Sequence, residues 1–175
     1  MARSGAKKRK DVERQVAALP VRLSPGGGLE VLLVTSRETR RWVIPKGNPI
    51  KGLKRFEAAA VEAEEEAGVH GKIMPDPYRR FDYWKRRRDR FQFCRVDVFL
   101  LLVREEEDDW KERGQRHRAW TSPRQAFDLV LEPGLQSIFA ELARDGHVAE
   151  LLASDEAARR RPEAQARLSA ETGNA

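Results

Sequence analysis

The chain has 175 residues, a formal net charge of +6, 40% hydrophobic residues and 35% charged ones. This is enough length for one domain with a real core, and no apolar run reaches the roughly 18 residues of a membrane-spanning helix, which excludes that class. Cys94 is the only cysteine, so an intrachain disulfide is excluded and a reducing, cytoplasmic setting is expected.

In chain order, residues 1–13 read as a basic, flexible tail that lacks the apolar stretch of a secretory signal. RQVAALPVR, from Arg14 to Arg22, is a first strand, closed by a turn over Ser24 to Gly28. LEVLLVTSR, from Leu29 to Arg37, is a second strand, and Arg41 to Ile44 a short third. The segment from Pro45 to Gly52 reads as loop, because its prolines and glycines sustain neither regular structure. A helix follows from Lys54 to Ala67, stopped by Gly68. Val69 to Met74 and Tyr78 to Trp84 are strands, Lys85 to Arg90 a charged turn, and Phe91 to Val103 the candidate central strand. A short strand over Arg118 to Thr121 precedes a helix from Pro123 to Val130, capped by Ser122, and a longer one from Pro133 to about Ala153. The last stretch, 154–175, is rich in Ala, Arg and Glu and is expected to be disordered. Strands outnumber helices, which predicts a mixed sheet covered by helices on both faces, in one domain over 14–153.

The helix from Lys54 divides into faces. Phe56, Ala59, Ala60, Ala63 and Ala67 fall on one side, where small side chains allow close approach to a sheet. Glu62, Glu65 and Glu66 share another arc at i, i+3 and i+4, a repulsion that costs about 0.2–0.5 kcal/mol per pair. At the other end, Lys54 and Arg55 oppose the helix dipole. A cation relieves the first defect and an anion the second, and a metal-bound phosphate compound supplies both. The plain alternative is a solvated acidic helix end. The positive balance favours an anionic partner without saying which, and Arg86, Arg87, Arg88 and Arg90 crowd one turn. That turn reads as a phosphate cradle, as an RNA contact with Tyr83, Trp84 and Phe91 beside it, or as a merely soluble hairpin. His70, His117 and His147 are too scattered for a metal site, and Cys94 lies in an apolar strand as a core residue.

The segment from Gly47 to Val69 resembles the signature box of the Nudix hydrolases, with Gly47, Glu62, Glu65, Glu66, Gly68 and Val69 in register. Three positions depart from it: Leu53 replaces a Glu, Val61 an Arg, and Ala63 a larger aliphatic residue. The first two become apolar together, so an apolar contact is expected to replace the ion pair. Outside the box, VLLVTSR, RWVIPKG, KRRRDR and DDWKERGQRHRAW are similar to the diphosphoinositol polyphosphate and diadenosine polyphosphate branch.

The resemblance implies an α/β/α sandwich and hydrolysis of a phosphoanhydride bond in a polyphosphorylated small molecule, with Mg²⁺ as the cofactor and Mn²⁺ as a substitute. It implies Glu62, Glu66 and Glu65 as metal ligands, and Glu65 or Glu62 as the group that takes the proton from water. Arg37, Lys46, Gly47, Arg86, Arg87, Arg88 and Arg116 are the candidates for substrate binding. An RNA 5′ end is the alternative substrate, and a silent polyphosphate- or RNA-binding module the alternative role. A membrane partner is not expected, and the sequence specifies no oligomeric state.

Overall fold

The computed structural model describes residues 12–172, with side chains to residue 160. Most of the expected basic tail therefore lies outside the described residues. The elements are β1 (Glu13–Leu23), β2 (Leu29–Thr35), β3 (Trp42–Val43), β4 (Lys46–Gly47), α1 (Arg55–Ala67), β5 (Val69–Ile73), β6 (Arg79–Arg86), β7 (Phe91–Glu106), β8 (Arg118–Thr121), α2 (Pro123–Leu129), α3 (Pro133–Leu142) and α4 (His147–Thr172).

The strands form one mixed sheet with β3-β2-β1-β7-β5 as its main path, while β4 joins β1, β6 joins β7 and β8 joins β2. The long apolar β7 is central, as its composition predicts. Its first half pairs antiparallel with β6 and its second half with β5, while β1 runs parallel along it. Alternation along β1 sorts the core into two layers. Ala17, Leu19 and Val21 face a layer built with Phe139, Leu142 and Val148 from α3 and α4. Val16 and Ala18 face the alanines of α1. Helices thus cover both faces, and no described helix is long and apolar enough to cross a membrane.

The structure departs from the sequence reading at five places. Lys46 and Gly47, expected as loop, pair with Ala17 and Val16 of β1, because β2 has already peeled away from that half of the strand. The buried face of α1 includes Ala58, while Ala60 is only partly covered. Leu53 is 42% exposed rather than packed in an apolar contact. The helix start is held instead by Glu57, whose carboxylate accepts from the Lys54 backbone N–H at 2.7 Å. The C-terminal helix breaks between Leu142 and His147, where Asp145 accepts from the His147 N–H. Finally, α4 continues to Thr172 where disorder was expected, and Asp155 anchors its first half through Arg104 and Lys72.

Gly68 closes α1 in the left-handed region at φ 61°, and a Cβ there would lie 2.8 Å from the Trp110 side chain. Gly68→Ala therefore meets both backbone strain and a clash. A loss of about 1–3 kcal/mol is expected, read as a fall in Tm of roughly 2–12 °C. An unchanged melting curve would contradict this account of the helix end.

Candidate functional site

Three chain segments meet around the C-terminal half of α1: the β4 strand, α1 itself and the loop from Trp110 to Arg116. The close approach of β4 depends on Gly47, since a Cβ there would lie 2.0 Å from Glu62 Oε1. Trp110 packs against Gly68 and donates its indole N–H to the Glu66 carbonyl at 3.2 Å. Arg118 lies over the Trp110 ring at 4.1 Å from its centroid and donates to the Ala67 carbonyl at 2.6 Å, which satisfies an open helix-end acceptor.

The three glutamates take different partners. Glu66 is buried at 7% exposure and accepts from Arg116 and from the Lys46 backbone N–H at 3.2 Å. Glu65 is paired with Lys111 at 2.7 Å, its side chain 37% exposed. Glu62 lies against Gly47 and has neither a hydrogen bond nor an ion pair among the described residues. Among the described residues, no three His, Cys, Asp or Glu side chains are grouped to hold a metal ion. The donors are nonetheless of the right kind for a hard cation: carboxylate oxygens, one of them half-buried and uncompensated.

Electrostatics mark the same residue. Burial, and then the charges of Glu66, Glu65 and Glu112, push the Glu62 carboxyl up to about 7. Burial also raises Glu66, against the pull of Arg116 and Lys46, and burial lowers the Lys46 ammonium despite the charge of Glu66. A raised acid disfavours the folded state as it ionises. Because unfolded Glu62 loses its proton near its ordinary value of 4.5, the stability it removes grows as pH rises from there to about 7 and is constant above. Glu62→Gln is expected to melt with wild type near pH 4 and above it at pH 8. The margin is about 1–2 kcal/mol after discounting for solvent screening, and a constant difference across that range would contradict the assignment.

The predicted substrate-binding cations separate. Arg37 reaches Glu112 at 3.5 Å and is 59% exposed, and the Lys46 ammonium sits 5.6 Å from the Tyr83 ring centroid. Arg116, expected to meet substrate, is only 7% exposed and spends its guanidinium on Glu66, Glu112 and the Thr35 carbonyl. Arg86, Arg87 and Arg88 sit at the β6–β7 tip beyond Glu13, roughly 20 Å along the strands from the Val16–Gly47 pair. Arg87 is spent on Glu13 at 2.7 Å. No local pattern in the sequence ranks Glu112 above its acidic neighbours or marks Lys111 and Trp110 for a role at this site, because each meets α1 only through the fold. Cys94 is buried and free, and His70 pairs with Glu107 at 2.9 Å, away from the glutamates.

The chain matches the NUDIX domain over residues 13–142. It is 33% identical over 120 residues to "Nudix hydrolase 12, mitochondrial" of Arabidopsis thaliana, covering 66% of this chain and 59% of that protein. It is 37% identical over 104 residues to "Diphosphoinositol polyphosphate phosphohydrolase 3-alpha" of Mus musculus, covering 58% and 60%. The matched region thus spans about 60% of these relatives' length. The fold is also that of a C. elegans Ap4A hydrolase binary complex (TM-score 0.57, 18% identity, 76% of this chain and 96% of that one). It is shared with the NUDIX domain of Shewanella oneidensis NrtR complexed with ADP ribose (TM-score 0.60, 14% identity, 82% and 95%). With the domain match covering most of its length, the chain belongs to the Nudix family.

Proposed function

We propose that the protein hydrolyses a phosphoanhydride bond in a polyphosphorylated small molecule, with Mg²⁺ as cofactor and Mn²⁺ as a substitute. The observation that carries this reading is Glu62, a half-buried carboxylate with no ion-pair partner among the described residues, pressed against Gly47 and crowded by three other glutamates. Glu62 and Glu66 would hold the cation, with Glu65 joining once Lys111, 64% exposed, swings into solvent. When bound, the cation neutralises the phosphate oxygens and makes water a better nucleophile. Arg116 and the Lys46 N–H fix Glu66 in one rotamer, which keeps the site preorganised. Glu65, more exposed than Glu66, would take the proton from water once Lys111 has left it. Exposed Arg37 and half-buried Lys46, with the backbone of Gly47, supply contacts for the remaining phosphates.

The Ap4A hydrolase and the diphosphoinositol phosphohydrolase among the similar proteins support this substrate class. The test is phosphate or nucleotide release with Mg²⁺ from diadenosine tetraphosphate and from an inositol pyrophosphate, for wild type and Glu62→Gln. Release that falls roughly 100-fold or more in the variant is expected. Binding without turnover anywhere would make the protein a silent module, and processing of 5′-triphosphorylated RNA alone would replace the small-molecule reading.

A further inference from the structure

Two cations reach the glutamates of α1 from the loop between β7 and β8, and they are held differently. The Arg116 side chain is 7% exposed and divides its guanidinium among Glu66, Glu112 and the Thr35 carbonyl, so it cannot leave without stranding charge. The Lys111 side chain is 64% exposed and makes one ion pair among the described residues, with Glu65 at 2.7 Å. The backbone on either side of Lys111 is fastened to the last turn of α1. Trp110 donates its indole N–H to the Glu66 carbonyl at 3.2 Å, and the Glu112 backbone N–H donates to the Glu65 carbonyl at 3.1 Å. The backbone N–H groups of Arg113 and Arg116 close the loop back onto the Trp110 and Glu112 carbonyls. Only the stem of Lys111 is left to swing, so its ammonium stays within reach of Glu65 whether paired or not. A group on so short a tether acts at an effective concentration on the order of millimolar or more. Glu112 and Glu62 add to the attraction.

We propose that Lys111 is a tethered competitor for the divalent cation: its ammonium and the cation take the same Glu65 carboxylate in turn, and this exchange sets the cation concentration at which the site fills. An ammonium at hydrogen-bond distance from Glu65 would lie within a few ångströms of a cation on that carboxylate and repel it. Lysine suits the role better than arginine, because it binds as a point charge and lets go without breaking a bidentate pair. An exposed ion pair is weak, so the competition lowers affinity by a factor of about two to five, a tuning rather than a block. The division of labour follows from burial: Arg116 holds Glu66 in place, while Lys111 covers Glu65 and can be displaced. This assignment rests on the reading of Glu65 as a cation ligand and adds the residue that governs how readily it is loaded.

Titration with Mn²⁺, followed by the paramagnetic resonance of the free ion, reads cation affinity without turnover. Lys111→Met is expected to bind Mn²⁺ about two- to fivefold tighter than wild type, and Lys111→Arg no tighter. Arg113→Met removes a positive charge from the same loop, where the side chain reaches Asp109 rather than a glutamate, and should leave the affinity unchanged. In a Glu65→Gln background the gain from Lys111→Met should largely disappear. Equal or weaker binding in Lys111→Met, an equal gain in Arg113→Met, a gain undiminished without the Glu65 charge, or no Mn²⁺ bound by any of these proteins would each overturn the proposal. The Lys111→Met gain in a protein that hydrolyses nothing would sustain it while removing the catalytic reading. Turnover with Mg²⁺ beside an unchanged Mn²⁺ affinity in Lys111→Met would do the reverse.

Discussion

Arg116→Met should lower the unfolding free energy by about 3–5 kcal/mol, measured by urea denaturation at pH 8. The guanidinium is a buried fork: one nitrogen donates to Glu66, another to Glu112, and a third to the Thr35 carbonyl at 2.9 Å. Methionine keeps much of the volume and loses every donor. Two carboxylates, with side chains 10% and 12% exposed, then lose their shared cation. The penalty is largely that of stranded charge, so it should shrink when the charge is removed. In Arg116→Met/Glu66→Gln the combined loss should be smaller than the sum of the single effects by at least about 1 kcal/mol. A single-variant loss below about 1 kcal/mol would show that solvent reaches these carboxylates and that Arg116 does not organise the site.

What was readable beforehand follows from range. The strands, the helix from Lys54 and its glycine stop are local patterns, and the structure reproduces them within a few residues. The spacing of Glu62, Glu65 and Glu66 was equally local. Their partners were not: Arg116 lies 50 positions from Glu66 and Lys111 46 from Glu65, and nothing periodic joins them. Arg116 looked like a phosphate ligand because an arginine in a polar loop carries no mark of burial. The break before α4 did have a signal, Asp145 followed by Gly146, which are favoured residues at a helix start. An apolar pattern continuing through Val148 and Leu152 obscured it. The pairing of β4 was hidden because two residues carry no period, and only the vacancy beside β1 makes them a strand.

Glu66→Gln should separate activity from stability more sharply than any other single change at this site. Burial raises the Glu66 carboxyl against the opposing pull of Arg116 and Lys46, so ionised Glu66 is, on balance, less favoured in the folded protein than in water. Glutamine keeps the shape and sheds that charge, and its single carbonyl accepts from the Lys46 N–H while the hydrogen bond from Arg116 is lost. Arg116 retains Glu112 as its counter-ion. Stability near pH 8 is therefore expected to be unchanged or to rise. Mg²⁺-dependent turnover, by contrast, loses a ligand whose transition-state contribution is several kcal/mol, and kcat should fall about a thousandfold. The Tm gain that Mg²⁺ gives wild type should disappear in the variant, because a cation that binds only the folded state stabilises it by mass action. A variant that keeps wild-type turnover and the same Mg²⁺ response would remove Glu66 from the metal site and leave it as the counter-ion of Arg116 alone.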